Sequence, residues 1–375
     1  MKKIKFTLLM TTALLIGACA TNYEEEKTVL MAKNDTPDLV SSFEAEKEQA
    51  QIFTTETPKK EVTIPEKKKR NQKVMPATKT APAVKEKAPE KKPESTPVAP
   101  AVIPPVTSSE FTVPNNVAPA DYPEEFKAYD AKSKAVWEKF KPIFNPGEQS
   151  IMAVTYLGVT AGHITIQSKE ITTLNNKPAY HFYARFKSSD SYRYFYWLDD
   201  RLDSYVEKQT FLPMKYSLIQ REKKQNVDDL QLFDFKKAVT LNWYKRVKEG
   251  SNKDEKGETK IPLYAQDSFS ALQFVRGLPL IKGDVYELPV ITRGKFWILK
   301  AEVMGEETTS VNGKDMKAIK IKAETNFPGV LKKSGDINFW YGADADRRLL
   351  KFQAKIKLGS LYGEVVEFTP GNKVQ

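Results

Sequence analysis

Few side chains in this 375-residue chain are equipped for chemistry. It holds one cysteine, Cys19, and two histidines, His163 and His181. A lone cysteine excludes an internal disulfide framework and a cysteine-rich zinc site. A metal centre built on the two histidines would need further ligands, and no spaced carboxylate motif supplies them. No Gly-x-Ser-x-Gly elbow, His-Glu-x-x-His helix or Walker loop occurs. Asp199, Asp200 and Asp203 form an acidic group, but a calcium loop needs a fuller ligand series, so turn chemistry is expected. Asp267 and Arg276 bracket a predicted helix about two and a half turns long, off the three- and four-residue spacing that pairs charges. Two roles are open to Arg276: meeting an anionic ligand at the mouth of a sheet, or a tie to a carboxylate or strand carbonyls. No catalytic, metal-ligating or cofactor-binding residue is predicted.

An aromatic run is the other candidate. Strand alternation over residues 191–198 would put Tyr192, Tyr194 and Tyr196 on one face and Arg193, Phe195 and Trp197 on the other. With Tyr180, Phe182, Tyr183 and Phe186 just upstream, these rings would line a lipid or glycan groove, or form one core face and one outer face.

Cys19 has a clearer context. Lys2, Lys3 and Lys5 precede an apolar stretch over residues 6–16, the pattern of a secretory signal peptide too short to span a bilayer. The run Leu15-Ile16-Gly17-Ala18-Cys19 resembles a bacterial lipobox. The resemblance implies removal of residues 1–18, a diacylglyceryl group on the Cys19 thiol and an acylated new amino end, palmitate among the chains. Several buried acyl chains, at about 0.8 kcal/mol per CH₂, would anchor the protein stably. Ala20 in place of an aspartate suggests the outer membrane, facing the periplasm.

Residues 19–119 are predicted to be a disordered tether. Residues 20–56 carry three basic and nine acidic side chains, and residues 57–110 carry twelve basic, six acidic and ten prolines. Such a composition cannot bury enough apolar area to offset chain entropy. The basic clusters would either touch anionic envelope polymers or headgroups, or serve as a solvated spacer. The net charge of +11 is spread out and lacks a stripe of arginine or lysine interleaved with stacking aromatics, so no nucleic-acid partner is expected.

These candidates need elements to hold them. Phe126, Tyr129, Val136, Trp137 and Phe140 recur at helical spacing, predicting a helical lead-in over 120–144. From residue 145 to 370 the period is two. Turns are signalled at Gly162, Asn175-Asn176, Asp199-Asp200 and Asn312-Gly313, and residues 248–260 read as a charged loop. The expected fold is mainly β: one large curved antiparallel sheet, a partial or closed barrel, with a short central helix and an N-terminal flanking helix.

The central helix carries a family resemblance. Asp267-Ser268-x-Ser270-Ala271-Leu272-x-x-x-Arg276 is similar to a motif of the bacterial envelope family DUF3108, a domain of unknown function. Gly147-Glu148, residues 158–162, 280–283, 335–340, 344–347 and 359–363 fit in the same order. The resemblance implies a curved sheet around a helix and brings no catalytic residues. The expected role is a lipid-anchored, non-enzymatic envelope protein that binds a lipid, glycan, peptidoglycan or partner protein. Alternatives are a hydrolase of cell-wall or glycan material, using Asp267, His163 or His181, and a structural tether between outer membrane and wall.

Overall fold

The computed structural model describes residues 110–326, 336–356 and 359–372. The expected signal peptide, Cys19 and the expected tether up to residue 109 lie outside these residues.

The chain is mainly β. A helix, α1 (Phe126–Trp137), precedes nine strands: β1 (Gln149–Tyr156), β2 (Val159–Ser168), β3 (Thr172–Leu174), β4 (Lys177–Ser188), β5 (Asp199–Glu207), β6 (Pro213–Arg221), β7 (Gln225–Asp234), β8 (Val239–Lys248) and β9 (Lys253–Lys260). A two-residue strand, β10 (Gln266–Asp267), leads into α2 (Ser270–Arg276). Then follow β11 (Val285–Thr292), β12 (Lys295–Val311), β13 (Lys314–Asn326), β14 (Asp336–Gly342), β15 (Leu349–Lys355) and β16 (Ser360–Thr369).

These strands form one sheet. Its order runs from β10 through β11 to β16, then β1, β2, β4 and on to β9, with β3 beside β4. The first and last long strands are therefore neighbours, Gln149 opposite Thr369 and Tyr156 opposite Leu361. All pairings are antiparallel except the short β10–β11 contact. The alternation seen in sequence is the alternation of burial: along β1 every second residue, from Ser150 to Tyr156, is buried.

The sheet curls without a closing ladder. Its β10 end meets the second half of the sheet through side chains instead. Ser204 Oγ on β5 donates to Asp267 Oδ2 at 2.6 Å, and Gln266 Nε2 donates to Phe211 O at 2.8 Å. The β11–β12 turn presses on β7 and β8, with Arg293 Nε donating to Asp229 Oδ2 at 3.2 Å and Gly294 N reaching Gln231 Oε1 at 3.4 Å. The partial barrel is thus the form realised.

All seven residues of α2 are buried. Its Phe274 stacks on Phe140 at 4.2 Å between ring centroids and lies 4.2 Å from Trp137. Phe144, Tyr180, Phe182 and Phe211 complete this aromatic core. Gly277 allows the close approach: a Cβ there would lie 2.3 Å from Phe140 Cε2 and 2.5 Å from Lys141 O. On α1 the face turned inward is Asp130, Ser133 and Trp137, while Phe126 and Tyr129 pack on Phe296.

Three local expectations need correction. Residues 110–119 belong with the folded part rather than with the tether. Phe111 packs on Phe140 at 5.2 Å, Thr112 N bonds Gln209 O, and Tyr264 Oη donates to Pro114 O at 2.9 Å. The segment read as a charged loop contains β9, a solvent-facing strand held by its ladder to β8. Residues 191–198 are not a strand. Tyr192–Tyr194 is a 3-10 turn, Leu198 makes a single bridge to Glu222, and Asp199-Asp200 begins β5 instead of turning.

Candidate functional site

The strand directions divide the domain into two unlike ends. At one end the segment 137–148 and the aromatic core cap the sheet. Here lies Arg276, with Glu148 just before β1. Arg276 Nη1 and Nη2 donate to the two Glu148 oxygens at 2.6 and 2.9 Å, while Nε and Nη2 both reach Asp346 O. Both side chains are nearly out of solvent, at 6% and 8% exposure. A bidentate pair of this kind is strong and directional. It ties the end of α2 to β1 and to the β14–β15 connection, so the guanidinium is committed to the fold. Asp267 is equally committed: its Oδ1 accepts from the backbone N–H groups of Phe269 and Ser270, both at 2.8 Å, and its Oδ2 from Ser204. Asp267 thus satisfies the first backbone donors of α2 from three positions ahead of Ser270, the need a capping side chain meets. Burial raises its carboxyl above the ordinary range.

The histidines are far apart. His163 on β2 is exposed and sits opposite Lys187. His181 lies six residues earlier on β4, about 20 Å away at about 3.3 Å per residue. His181 Nε2 contacts Asp203 Oδ1 at 2.7 Å and its ring stacks on Tyr205 at 4.2 Å. Burial raises the Asp203 carboxyl, but the bonds from His181 and Arg201 outweigh it and hold the group below its usual range. Asp267 bonds Ser204 and His181 bonds Asp203, adjacent residues that face opposite sides of β5, so the hydrolase candidates Asp267, His163 and His181 do not share a site. Among the described residues no cluster of His, Cys, Asp and Glu could hold a metal ion.

The opposite end carries the β1–β2, β4–β5 and β6–β7 connections. Neighbouring in the sheet are the β1–β2 turn at Leu157-Gly158, the connection over residues 189–198, and the β6–β7 turn at 222–224. Hydrogen bonds join them sideways. Ser189 N bonds Ala161 O, Ser189 Oγ donates to Thr160 O at 2.9 Å, Lys223 N bonds Trp197 O, and Lys223 Nζ reaches Tyr194 O and Phe195 O at 3.2 and 3.3 Å. The three candidate tyrosines are split between environments. Tyr196 is buried, Tyr192 is half-buried, and Tyr194 is 82% exposed. Phe195 is 76% exposed, Leu157 74% and Val159 54%.

Beneath these tips is a buried carboxyl pair. Tyr196 Oη donates to Glu222 Oε2 at 2.6 Å. Gln220 Nε2 bridges Asp200 Oδ2 and Glu222 Oε1 at 3.3 and 3.2 Å, and Asp200 Oδ1 accepts from Arg221 N at 3.0 Å. Burial first, and then the Glu222 charge, push the Asp200 carboxyl up to about 8. The Asp200 carboxyl is thereby biased toward its protonated form. The pair fixes Tyr196 and with it the root of the 189–198 connection. The acidic group splits three ways: Asp199 pairs outward with Arg185 at 2.6 Å, Asp200 faces inward to Glu222, and Asp203 meets His181.

Leu157, Val159 and Glu222 were not singled out in the sequence. A signal existed for Leu157. It stands at the first position of a two-residue hairpin turn, with Tyr156 opposite Val159, where asparagine, aspartate or glycine is usual.

The fold and its unlike ends define a partly closed, barrel-like antiparallel domain wrapped around one helix. The chain belongs to the family described as "Protein of unknown function (DUF3108)", whose model matches residues 152–366. No curated protein matches the chain. Among solved structures it is similar to a beta-barrel-like protein of domain of unknown function DUF1849 from Brucella abortus. That likeness is at 11% identity, covers 61% of this chain and 100% of that one, and has a TM-score of 0.42. It is also similar to a protein described as a "putative lipoprotein" from Parabacteroides distasonis ATCC 8503 (10% identity, 62% and 99% coverage, TM-score 0.28). A protein with a YmcC-like fold from Bacteroides fragilis NCTC 9343 matches at 12% identity, 61% and 98% coverage, TM-score 0.26.

Proposed function

We propose that this is a lipid-anchored, non-enzymatic protein of the cell envelope whose β domain works by binding at its turn-bearing end. The observation that carries the binding reading is the exposure of Leu157, Val159, Tyr194 and Phe195 together at one end. Scattered single apolar side chains are ordinary on a surface, whereas a group on neighbouring turns marks a contact site. The concave side of the sheet is occupied by α2 and the aromatic core, so binding falls to the end rather than to a groove. The lipobox-like run ending in Cys19 supports the anchor, and Ala20 supports the outer membrane with the domain in the periplasm.

The anchor is tested by expressing the full chain and its Cys19→Ser variant in a bacterial envelope and partitioning each into detergent. The wild type is expected in the detergent phase, with an N-terminal peptide that begins at Cys19 and carries acyl mass. An unacylated mature protein would overturn the anchor. Crosslinking from membranes identifies what the domain binds. Glycan fragments, an envelope protein or lipid alone would each narrow the reading, and recovery of a product turned over by the purified chain would replace it.

A further inference from the structure

We propose that the turn-bearing end is a membrane-contacting surface that inserts apolar tips into an anionic phospholipid bilayer, separate from the Cys19 anchor. This rests on the binding reading above and names the partner. Three observations carry it.

The first is strain without a folding reason. Leu157 holds φ at 49°, the left-handed region, at the tip of the β1–β2 hairpin. A leucine is disfavoured there, and asparagine or glycine would serve the turn better. Its side chain gains little packing in return, being 74% exposed. A residue unfavourable to both backbone and solvation is held for something outside the fold.

The second is the shape of the apolar group. Leu157 and Val159 on one turn, and Tyr194 and Phe195 on the next, project as separate tips. Tips with aromatic rings suit an interface in which rings rest at headgroup depth and aliphatic groups reach the acyl boundary.

The third is charge. Lys187, Arg193, Lys223 and Lys224 are exposed around these turns, with Asp190 beside Arg193 at 3.8 Å. Basic side chains around an apolar centre complement an anionic headgroup layer. The buried Asp200–Glu222 pair and the Lys223 bonds to Tyr194 O and Phe195 O hold the second tip in place from behind.

The reach is adequate. Phe111 and Thr112 enter the domain at the capped end, remote from the tips. The sheet is about 30–40 Å long for strands of 8 to 12 residues. Ninety residues lie between Cys19 and Glu110, a chain whose extended limit of about 3.3 Å per residue far exceeds the length of the domain. The tips can therefore touch the membrane that holds Cys19, or one facing it.

The test uses the full chain carrying Cys19→Ser, so that no acyl chain contributes. Its cosedimentation is compared with vesicles of phosphatidylcholine alone and with 30% phosphatidylglycerol. Preference for the anionic vesicles is expected. Leu157→Asn with Phe195→Ser should weaken that binding by about 10-fold or more, from lost apolar contact. Arg193→Gln with Lys224→Gln should weaken it by a similar factor, and salt should reduce what remains. Leu157→Asn alone should leave the thermal midpoint unchanged or higher, which separates lost contact from lost folding. Phe195→Trp should shift its fluorescence to the blue on anionic vesicles only. Unchanged binding by the tip variants would assign the vesicle contact to the basic tether and overturn the proposal. So would a wild-type dimer in light scattering that the tip variants convert to monomer without altering vesicle binding, since the occupant would then be a second copy. Either failure leaves acylation of Cys19 as a separate result, read from the N-terminal mass.

Discussion

Replacing Asp200 by asparagine should change how stability depends on pH, in a direction the structure dictates. Asp200 is 1% exposed and faces Glu222 through Gln220, and its carboxyl is pushed up to about 8. The unfolded chain releases that proton near 3.8. Between these values the folded state binds one more proton than the unfolded state, so stability falls as pH rises. The contribution is fully present below about pH 4, drains away toward pH 8 and is flat beyond. A span of about four pH units at about 1.4 kcal/mol each sets a ceiling of about 6 kcal/mol. Asparagine is close in shape to a protonated aspartate and can still accept from Arg221 N, while its amide nitrogen replaces the oxygen that Gln220 Nε2 donates to, so the Gln220 amide must flip to accept from it. Relative to the wild type, Asp200→Asn should therefore gain stability steadily from about pH 4 upward, by no more than that ceiling at pH 8. Urea unfolding of both proteins, followed by tryptophan fluorescence at unit steps from pH 5 to 9, reads the difference. Titrating groups remote from Asp200 cancel in that difference, whereas Glu222 titrates together with Asp200 and belongs to the effect. Parallel curves would refute the reasoning, because they would mean that Asp200 is ionised and compensated throughout.

Other substitutions probe the remaining structure. Arg276→Ala leaves Glu148 buried and unpaired and should cost about 3–5 kcal/mol in urea unfolding, whereas Arg276→Met together with Glu148→Gln should cost less than the single change. Gly277→Ala forces a methyl against Phe140 and the Lys141 carbonyl and should destabilise by about 1–3 kcal/mol, with the loss visible in near-ultraviolet circular dichroism of the aromatic core. Tyr196→Phe removes the donor to Glu222 and should cost about 1–2 kcal/mol, with faster proteolysis confined to residues 189–198.

The sequence and the structure agree where side-chain pattern and backbone need coincide. Of the two uses open to the aromatic residues of β4, the core face is realised: Phe182 and Phe186 enter the core with Ala184 between them. Asn312-Gly313 reads as a tight hairpin and joins β12 to β13 with both residues at positive φ. Disagreement came where the pattern was silent or ambiguous. β9 has no buried face, so no hydrophobic period marks it, and only backbone bonds to β8 make it a strand. The alternating aromatics of 191–198 fit a strand by period, but the hydroxyl of Tyr196 is drawn inward to Glu222 on another turn, and the chain folds over it.

By itself, the sequence settled the class of the fold and pointed to Cys19 as the lipid-bearing residue, because alternation and a short contiguous motif are local properties. Tertiary structure alone decided what the charged and exposed residues do. Arg276 finds Glu148 128 positions away, Asp200 on β5 is joined through Gln220 to Glu222 just past the adjacent β6, and Leu157 shares an end with Tyr194 and Phe195 because turns far apart in sequence close the same side of one curled sheet. Such partnerships depend on sheet order and register, and these are set by the summed packing of the whole domain around α2 rather than by any one segment.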